Sequence, residues 1–249
     1  MNISAIIEAR MSSSRFPGKV METFNEKPMI QIMVERLRDS VLLDEVIVAT
    51  TTNPNDDSLC EFLANNNIKF HRGSEENVLQ RVLATAHKYD VDIIVEVTGD
   101  CPILDPVVVD QSIGFFFKQD TDYVGNTCIT SSYPRGQDVK VFTTATLEDV
   151  DSRTDDPDDQ EHVSLYIYNN TDLYRCTPFP PPPFHVDPKT RLTVDYKVDL
   201  EVVLTILENL GEKCSFREIN SFLLKNRDVL DLNGNLEVSY INDDTRYSS

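Results

Sequence analysis

The chain has 249 residues, of which 40% are hydrophobic and 26% are charged, a composition typical of a globular protein with a full hydrophobic core. Its formal net charge is −19, and this acidic balance disfavours nucleic acid and anionic membranes as partners. No apolar run approaches the length of a membrane span, and the N-terminus lacks the layout of a signal peptide. We therefore expect a cytoplasmic protein.

Strand and helix patterns alternate along the first half of the chain. Apolar runs predict strands over residues 2–9, 45–50, 69–71 and 92–97, and apolar faces predict helices over 28–40 and 58–66, from 74–77 onward, and from near 106. This alternation and its spacing predict βαβ units and a twisted, mostly parallel sheet.

The second half is less regular. Strand-like pieces lie near residues 123–126, 138–142, 172–177 and 191–195, and helical patterns lie near 144–152, 160–169, 199–210 and 215–225. The proline-rich run 178–184 must be extended and stiff. The polar tail, from about residue 235 to 249, is expected to fray. Because no repeat or flexible linker is visible, we expect residues 1–249 to form one α/β domain.

The loop after the first predicted strand carries a basic cluster. Arg10, Arg15 and Lys19 are spaced five and four residues apart, among small residues that include Gly18. Open α/β sheets bind ligands at the carboxyl ends of their strands, and backbone N–H groups with cationic side chains suit a polyphosphate. Neither a P-loop nor a Gly-x-Gly-x-x-Gly motif is present. The loop predicts a nucleoside triphosphate site, with an ordinary solvated loop as the alternative.

Two aspartates also follow predicted strands. Asp100 lies in a Thr-Gly-Asp-Cys-Pro segment, and Asp195 ends the predicted strand 191–195. Carboxylate oxygens are ligands that Mg²⁺ prefers, usually together with substrate phosphates. Asp105 is the better candidate to cap the helix near residue 106, which leaves Asp100 for a metal. Asp195 is either a turn residue or a second metal ligand, depending on whether it meets Asp100 in space.

Several segments, in this order, resemble the cytidylyltransferases. The opening segment 8–19 is similar to the nucleotide loop of CMP-sugar synthetases such as CMP-Kdo synthetase and CMP-sialic acid synthetase. The strongest resemblance is to the cytidylyltransferase-like proteins named for spore coat polysaccharide biosynthesis protein F, and it extends from residue 3 to about 233. The further segments that carry it are 71–79, 98–102, 133–139, 161–163 and 191–195.

The resemblance implies a nucleotide-diphosphosugar transferase-like, Rossmann-like fold with a mixed, mostly parallel sheet. It also implies transfer of CMP from CTP to an acidic sugar or related small acid, with Mg²⁺ as cofactor and pyrophosphate as the second product. The implied catalytic residues are Arg15, Lys19, Asp100 and Asp195, of which the two aspartates hold Mg²⁺. The implied nucleotide-binding residues are Ala9, Arg10, Met11, Ser12, Ser13, Arg15, Lys19, Arg72, Gly73, Asn77 and Arg81. The implied acceptor-binding residues are Tyr133, Arg135, Gln137, Asp138 and His162.

Two departures from the family pattern leave questions open. Lys140 stands where related sequences often have glutamate, and residues 196–198 replace a common Thr-Pro-Glu. The acceptor therefore stays open among keto-deoxy sugar acids, nonulosonic acids and phosphonates. A separate general base is not evident.

Two other classes of function also remain. A glycosyltransferase is disfavoured because segment 98–101 lacks an Asp-x-Asp motif, and a non-catalytic nucleotide-binding protein is the other alternative. The proline-rich run is interpreted either as a plain surface loop or as a dimer contact, since a rigid arm loses little entropy on docking. We predict a homodimer.

Overall fold

The structure is a computed structural model that describes residues 1–126 and 132–236. Its strands are β1 Ile3–Glu8, β2 Thr23–Phe24, β3 Lys27–Pro28, β4 Glu45–Thr51, β5 Lys69–Gly73, β6 Ile93–Thr98, β7 Tyr123–Gly125, β8 Lys140–Thr143 and β9 Cys176–Pro178. Its α-helices are α1 Met29–Leu37, α2 Asp57–Asn65, α3 Val78–Lys88, α4 Pro106–Phe116, α5 Thr144–Asp151, α6 Pro157–Glu161, α7 Leu165–Asn169, α8 Lys197–Leu210, α9 Phe216–Lys225 and α10 Arg227–Asn233. None of these helices is long and apolar enough to cross a membrane.

Seven strands form one central sheet in the order β5-β4-β1-β6-β8-β7-β9. The pairs β5–β4, β4–β1, β1–β6 and β7–β9 are parallel, whereas β8 runs antiparallel to both β6 and β7. Strands β2 and β3 form a separate antiparallel hairpin. The predicted α/β fold with a mixed, mostly parallel sheet is confirmed.

Both faces of the sheet are covered, as the near-continuous apolar strands require. Alternate residues of β1 point to opposite faces, so that Ile7 packs in the core on the α1 side and Ile6 packs in the core on the α3 side. Glu8 and Thr98 are register partners at the carboxyl ends of β1 and β6. The loops that follow these two strands therefore begin side by side at one edge of the sheet.

Two elements of the second half differ from prediction. The single helix predicted over 160–169 is wrong: Asp156 caps α6 by accepting a hydrogen bond from the Asp158 N–H, and the chain breaks before α7. At the break Val163 has a positive φ of 43°, which a continuous helix does not allow. The strand predicted over 172–177 is shorter and shifted, because β9 covers Cys176–Pro178.

The strand predicted over residues 191–195 is also wrong. Within residues 1–126 and 132–236 this segment joins no sheet, and separate hydrogen bonds rather than a strand ladder satisfy its N–H groups. The Leu192 N–H donates to the Arg135 carbonyl at 2.8 Å, and the Val194 N–H donates to the Asp100 carbonyl at 2.7 Å. These isolated bonds place the segment across the end of β6.

The β2–β3 hairpin and α10 are elements that the sequence patterns did not predict. The hairpin turns at Asn25 and Glu26, both with positive φ, and its strands are too short to show a period. The predicted fraying of the tail concerns residues that, from 237 to 249, lie outside the described part of the chain.

Candidate active site

The Lys19 side chain bridges Asp100 and Asp195. The sequence alone did not determine whether these two aspartates lie close together. Its Nζ donates to Asp100 Oδ2 at 2.9 Å and to Asp195 Oδ1 at 3.0 Å. Arg15 also donates to Asp195 Oδ1, at 2.6 Å. Residues from an N-terminal loop, the end of β6 and the start of α8 thus meet at one point.

The geometry of the opening loop, residues 9–19, directs Lys19 toward the sheet. Gly18 has a positive φ of 76°, which glycine adopts without strain, and its N–H donates to the Met11 carbonyl at 2.9 Å. This bond closes the loop, and the chain enters a short 3-10 helix at Lys19. The loop therefore returns its last cation to the edge where β1 and β6 end.

Asp100 is held by the tight turn after β6. The Gly99 N–H donates to the Glu8 carbonyl at 2.8 Å, and a Cβ at Gly99 would lie 3.0 Å from that oxygen. Thr98 Oγ1 donates to Asp100 Oδ1 at 2.6 Å. Burial by itself would raise the pKa of Asp100, but the Lys19 charge and the Thr98 hydrogen bond lower it below its usual range. Asp100 is therefore a carboxylate at neutral pH.

The pKa of Lys19 shifts in the complementary direction. Burial would lower it, but the carboxylates of Asp100 and Asp195 raise it above its usual range. The lysine is consequently a buried ammonium, and the three side chains form a charged cluster whose members stabilise one another.

A buried network of ion pairs and hydrogen bonds holds the Asp195 carboxylate in place. Arg191 donates to Asp195 Oδ2 at 2.8 Å and to Asp199 Oδ1 at 2.9 Å. Asp199 Oδ2 also accepts from the N–H groups of Asp195 and Tyr196, and Asn233 Nδ2 donates to Asp199 Oδ1, each at 2.9 Å. Sequence reasoning assigned no role to Arg191 or Asp199. The spacing of four residues between Arg191, Asp195 and Asp199 is the signal that could have found them.

A cavity of about 310 Å³ opens in front of this cluster. Six of the predicted nucleotide-binding residues line it, together with Asp100 and, of the predicted acceptor-binding residues, His162. The full lining is Glu8, Ala9, Arg10, Ser13, Ser14, Arg15, Lys19, Val20, Val78, Arg81, Thr98, Gly99, Asp100, Glu161 and His162. Asp195 lies outside this lining and is 2% exposed.

The other predicted nucleotide-binding residues support the opening loop or its neighbours. The Met11 N–H donates to the buried Asp56 carboxylate at 2.7 Å. Ser12 Oγ and Asn53 Nδ2 both donate to Glu75, and these hydrogen bonds lower the pKa of Glu75. Asp56 and Glu75, which the sequence did not single out, therefore tie the loop to the β4 side of the sheet.

Arg72, Gly73 and Asn77 lie beyond the cavity lining, on and after β5. Arg72 pairs with Asp57 at 2.7 Å and donates to main-chain carbonyls. Asn77 caps α3 by accepting from the Gln80 N–H at 2.8 Å. These contacts stabilise the fold. That these residues also bind the nucleotide stays a prediction.

Two predicted acceptor-binding residues are built into the core. Tyr133 is 5% exposed and stacks on Phe179 with 5.7 Å between ring centroids, and burial raises its pKa to about 12. Gln137 is fully buried: its Nε2 donates to the Ile103 carbonyl at 3.1 Å, and its Oε1 accepts from the Asp105 N–H at 3.0 Å. The structure does not bring these side chains to the cavity that Asp100 lines.

Arg135 and Asp138 belong to the same turn. The Asp138 carboxylate accepts from the Gly136 N–H at 2.6 Å, and Arg135 lines a different cavity, of about 380 Å³, beside Lys189 and Arg191. His162, by contrast, is half-buried in the wall of the active-site cavity, where burial lowers its pKa. The acceptor role of all five residues stays a prediction.

Glu8 is a cavity residue for which the sequence assigned no role. It is the last residue of β1, and no described residue donates a hydrogen bond to its buried Oε1. Burial and the neighbouring Glu96 carboxylate raise the pKa of Glu8 to about 8. A carboxylate at the end of a mostly apolar strand, directly before a basic loop, is the sequence signal for it.

Asp100 and Asp195 carry carboxylates of the kind that Mg²⁺ prefers, but Asp195 lies outside the cavity lining and both its oxygens accept from cationic side chains. Within the described residues, no group of three or more His, Cys, Asp or Glu side chains could hold a metal. Two carboxylates are nevertheless enough for Mg²⁺ when substrate phosphates supply the remaining ligands. Lys19 now bridges these carboxylates, so a cation bound by both requires that the lysine move toward an anionic ligand.

Comparison with known proteins identifies similar sequences and a similar structure. The model of a cytidylyltransferase family matches residues 4–226. The spore coat polysaccharide biosynthesis protein SpsF of Bacillus subtilis is 34% identical over 236 residues, which cover 92% of this chain and 96% of that protein. A 3-deoxy-manno-octulosonate cytidylyltransferase of Geobacter metallireducens is 27% identical over 237 residues, covering 85% and 92%. The structure of a cytidylyltransferase from Leptospira borgpetersenii superposes with a TM-score of 0.87 at 31% identity, over 96% of this chain and all of that one.

Proposed function

The chain belongs to the cytidylyltransferase family, and we propose that it transfers CMP from CTP to an acidic sugar or a related small acid, with release of pyrophosphate. The observation that carries the proposal is the Lys19 bridge between Asp100 and Asp195 at the edge of a cavity with Arg10 and Arg15 in its wall. The name of the Bacillus subtilis relative supports a product used in polysaccharide synthesis, and the name of the Geobacter metallireducens relative supports a sugar acid as the acceptor.

The opening loop is suited to receive the triphosphate. The Arg15 side chain is 44% exposed while the side chain of its partner Asp195 is 3% exposed, so Arg15 can turn to a ligand in the cavity and leave Asp195 in place. Arg191 continues to neutralise Asp195 when Arg15 leaves. We propose that Arg10, Arg15 and Lys19 exchange carboxylate partners for phosphate oxygens when CTP binds.

The chemistry is an in-line attack on the α-phosphorus of CTP by an oxygen of the acceptor. The acceptor oxygen loses its proton to solvent and forms a bond to this phosphorus, as the bond from this phosphorus to the α–β bridging oxygen breaks and pyrophosphate leaves. Arg15 and Lys19 neutralise charge that develops on pyrophosphate, which is the main contribution that side chains make in such transfers. Asp100 and Asp195 would hold Mg²⁺, which supplies charge neutralisation at the α-phosphate and favours loss of the acceptor proton.

A pyrophosphate-release assay tests the proposed function. The full chain is incubated with each of the four common nucleoside triphosphates, with Mg²⁺ or with EDTA, and with a panel of sugar acids and phosphonates. We expect release with CTP and Mg²⁺ in the presence of an acceptor. In a parallel incubation with a nucleotide sugar and the same panel, sugar transfer would instead support a glycosyltransferase. CTP binding without turnover across the panel would support a non-catalytic protein.

The location and the oligomeric state stay predictions. We propose a cytoplasmic homodimer in which the proline-rich run 178–184 contributes to the contact between subunits. Light scattering of the full chain tests the dimer, and a variant in which Pro180–Pro183 are replaced by serine tests the contact. A wild-type monomer would contradict this part of the proposal.

A further inference from the structure

Helix α4 carries apolar side chains on its outer face as well as on its inner one. On the inner face, Val109 and Ile113 pack in the core on the α1 side of the sheet. On the outer face, Val107 is 52% exposed and Phe115 is half-buried. A surface helix of a globular protein normally presents charged and polar residues to water, so exposed apolar side chains on this face indicate a surface that a partner covers.

The proline-rich run 178–184 extends this apolar surface. A cavity of about 480 Å³ lies between the run and the outer face of α4, and it is lined by Phe115 and by exposed prolines of the run. The Phe179 ring anchors the run by packing edge-on against Phe115, with 5.5 Å between ring centroids. The helix and the run therefore present one continuous face.

This face is electrically neutral, unlike the chain as a whole. Among the residues that line the cavity, Asp110 and Lys118 carry the charges, one of each sign, whereas the chain has a formal net charge of −19. Two copies of so acidic a chain repel each other over most of their surface. A neutral apolar face is where two copies can approach with least repulsion.

Asp110 and Lys118 lie symmetrically about Gly114. Each is four residues from the glycine on the same side of the helix, or about 6 Å along the axis in opposite directions. A Cβ at Gly114 would meet no described atom within 4 Å, so no described neighbour requires a glycine there. Glycine destabilises a helix interior relative to alanine, yet it lets a second backbone approach closely. Gly114 is therefore suited to a point where two helices cross.

The two charges differ in how they are held. The Asp110 carboxylate accepts from Ser40 Oγ at 2.5 Å and from the N–H groups of Val41 and Leu42 at 3.1 Å, which fixes its position. The Lys118 side chain is exposed, and no carboxylate of the described residues lies within 4.0 Å of its ammonium. Each subunit thus offers a fixed carboxylate and a cation that is free to pair across an interface.

We propose that a second copy of this chain docks on this face, with the two α4 helices antiparallel and crossing at Gly114 about a two-fold axis. In this arrangement Lys118 of each subunit faces Asp110 of the partner subunit, and the contact is self-complementary. A parallel arrangement would place like charges opposite each other, which disfavours it. This contact rests on the homodimer part of the proposed function and is independent of CMP transfer.

Sedimentation velocity and light scattering of the full chain, over a range of protein concentrations, test the contact. Gly114→Gln places a long side chain at the crossing, and Gly114→Ala adds a single methyl group there. Lys118→Glu reverses the charge that faces Asp110 of the partner subunit. The matched control is Lys88→Glu, because Lys88 is exposed at the end of α3, on the opposite face of the sheet. Circular dichroism checks that each variant keeps its fold.

We expect Gly114→Gln to raise the dimer dissociation constant by about a hundredfold or more, because glutamine favours the helix but keeps the two backbones apart. Gly114→Ala should have a smaller effect. Lys118→Glu should raise the constant by about tenfold, since it turns two symmetric attractions into repulsions, and added salt should reduce the difference from wild type. Lys88→Glu should leave the dimer unchanged.

Each failure points to a different part of the proposal. A monomeric wild type would overturn both this contact and the homodimer, and pyrophosphate release by that monomer would leave CMP transfer standing. A wild-type dimer that Gly114→Gln does not weaken would overturn the crossing at Gly114 and place the contact elsewhere. Equal weakening by Lys118→Glu and Lys88→Glu would mean that net charge, rather than the pair with Asp110, controls association.

Discussion

The opening loop, residues 9–19, and the turn at residues 133–138 both carry polar side chains that the sequence assigned to ligands, but they are used differently. In the opening loop, Arg15 and Lys19 reach the cavity and pair with aspartates from distant parts of the chain. In the turn, Gln137 hydrogen-bonds main-chain groups and Tyr133 packs among aromatic rings. Polar residue type alone therefore does not distinguish a ligand contact from a bond that satisfies buried backbone.

The largest expected effect is a loss of kcat when Asp100 is substituted, compared with a substitution of an aspartate outside the site. Asp100→Asn should lower kcat for CMP transfer by about a thousandfold, because it removes a charge from the proposed metal and phosphate site. Steady-state kinetics with CTP measures this. The matched control is Asp90→Asn, at an exposed position with φ of 52° that asparagine tolerates, and it should retain activity. A fully active Asp100→Asn protein would remove Asp100 from the mechanism.

The free energy of unfolding tests whether the turn at residues 133–138 has a structural role. Gln137→Ala leaves the buried Asp105 N–H and Ile103 carbonyl without their partner, so the free energy of unfolding should fall by about 3 kcal/mol. Urea unfolding measures this, with Gln111→Ala on the exposed side of α4 as the control. If Gln137→Ala is as stable as wild type but has lost acceptor binding, the turn is a substrate loop and the comparison fails.

Arg15 tests whether the opening loop binds triphosphate. Arg15→Gln should raise the KM for CTP by about tenfold to a hundredfold, as expected for loss of a charge-assisted contact with phosphate. The folded state should change little, because Lys19 and Arg191 still neutralise Asp195. Kinetics at several salt concentrations measures the effect, with the exposed Arg38→Gln as control. An unchanged KM would mean that Arg15 contributes only its ion pair with Asp195 and does not bind the triphosphate.

The last test concerns the pH dependence of stability near Glu8. The pKa of Glu8 is raised from 4.5 to about 8, so between these values the folded protein holds a proton that the unfolded chain releases. Its contribution to stability is therefore lost as pH rises through this window, with a slope of at most about 1.4 kcal/mol per pH unit. Glu8→Gln should flatten the wild-type curve between pH 5 and 8 in urea unfolding. Parallel curves for the two proteins would contradict the shifted pKa.

The elements that were predicted correctly have strong local patterns. Strand β6 is a short apolar run, and helix α3 is amphipathic and has an N-cap residue. Each pattern is complete within the element itself, and both elements lie where the sequence predicts them. The helix predicted over 160–169 failed because its apolar residues continue through a break that Val163 makes in the backbone. The segment 191–195 has the composition of a strand, but no strand in the described part of the chain pairs with it. Local composition does not report which backbone partner is available.

In the site, the sequence by itself identified the cations of the opening loop and the aspartate after β6, because a strand, a turn and a charged side chain follow one another in the chain. Only the tertiary structure decided that Asp195 meets Lys19, a contact between residues 176 positions apart. It also decided that Arg191 and Asp199 fix that carboxylate, and that Glu8 lies near the Glu96 carboxylate. Such distances depend on how helices pack on the sheet, and packing is a property of the whole core rather than of any segment.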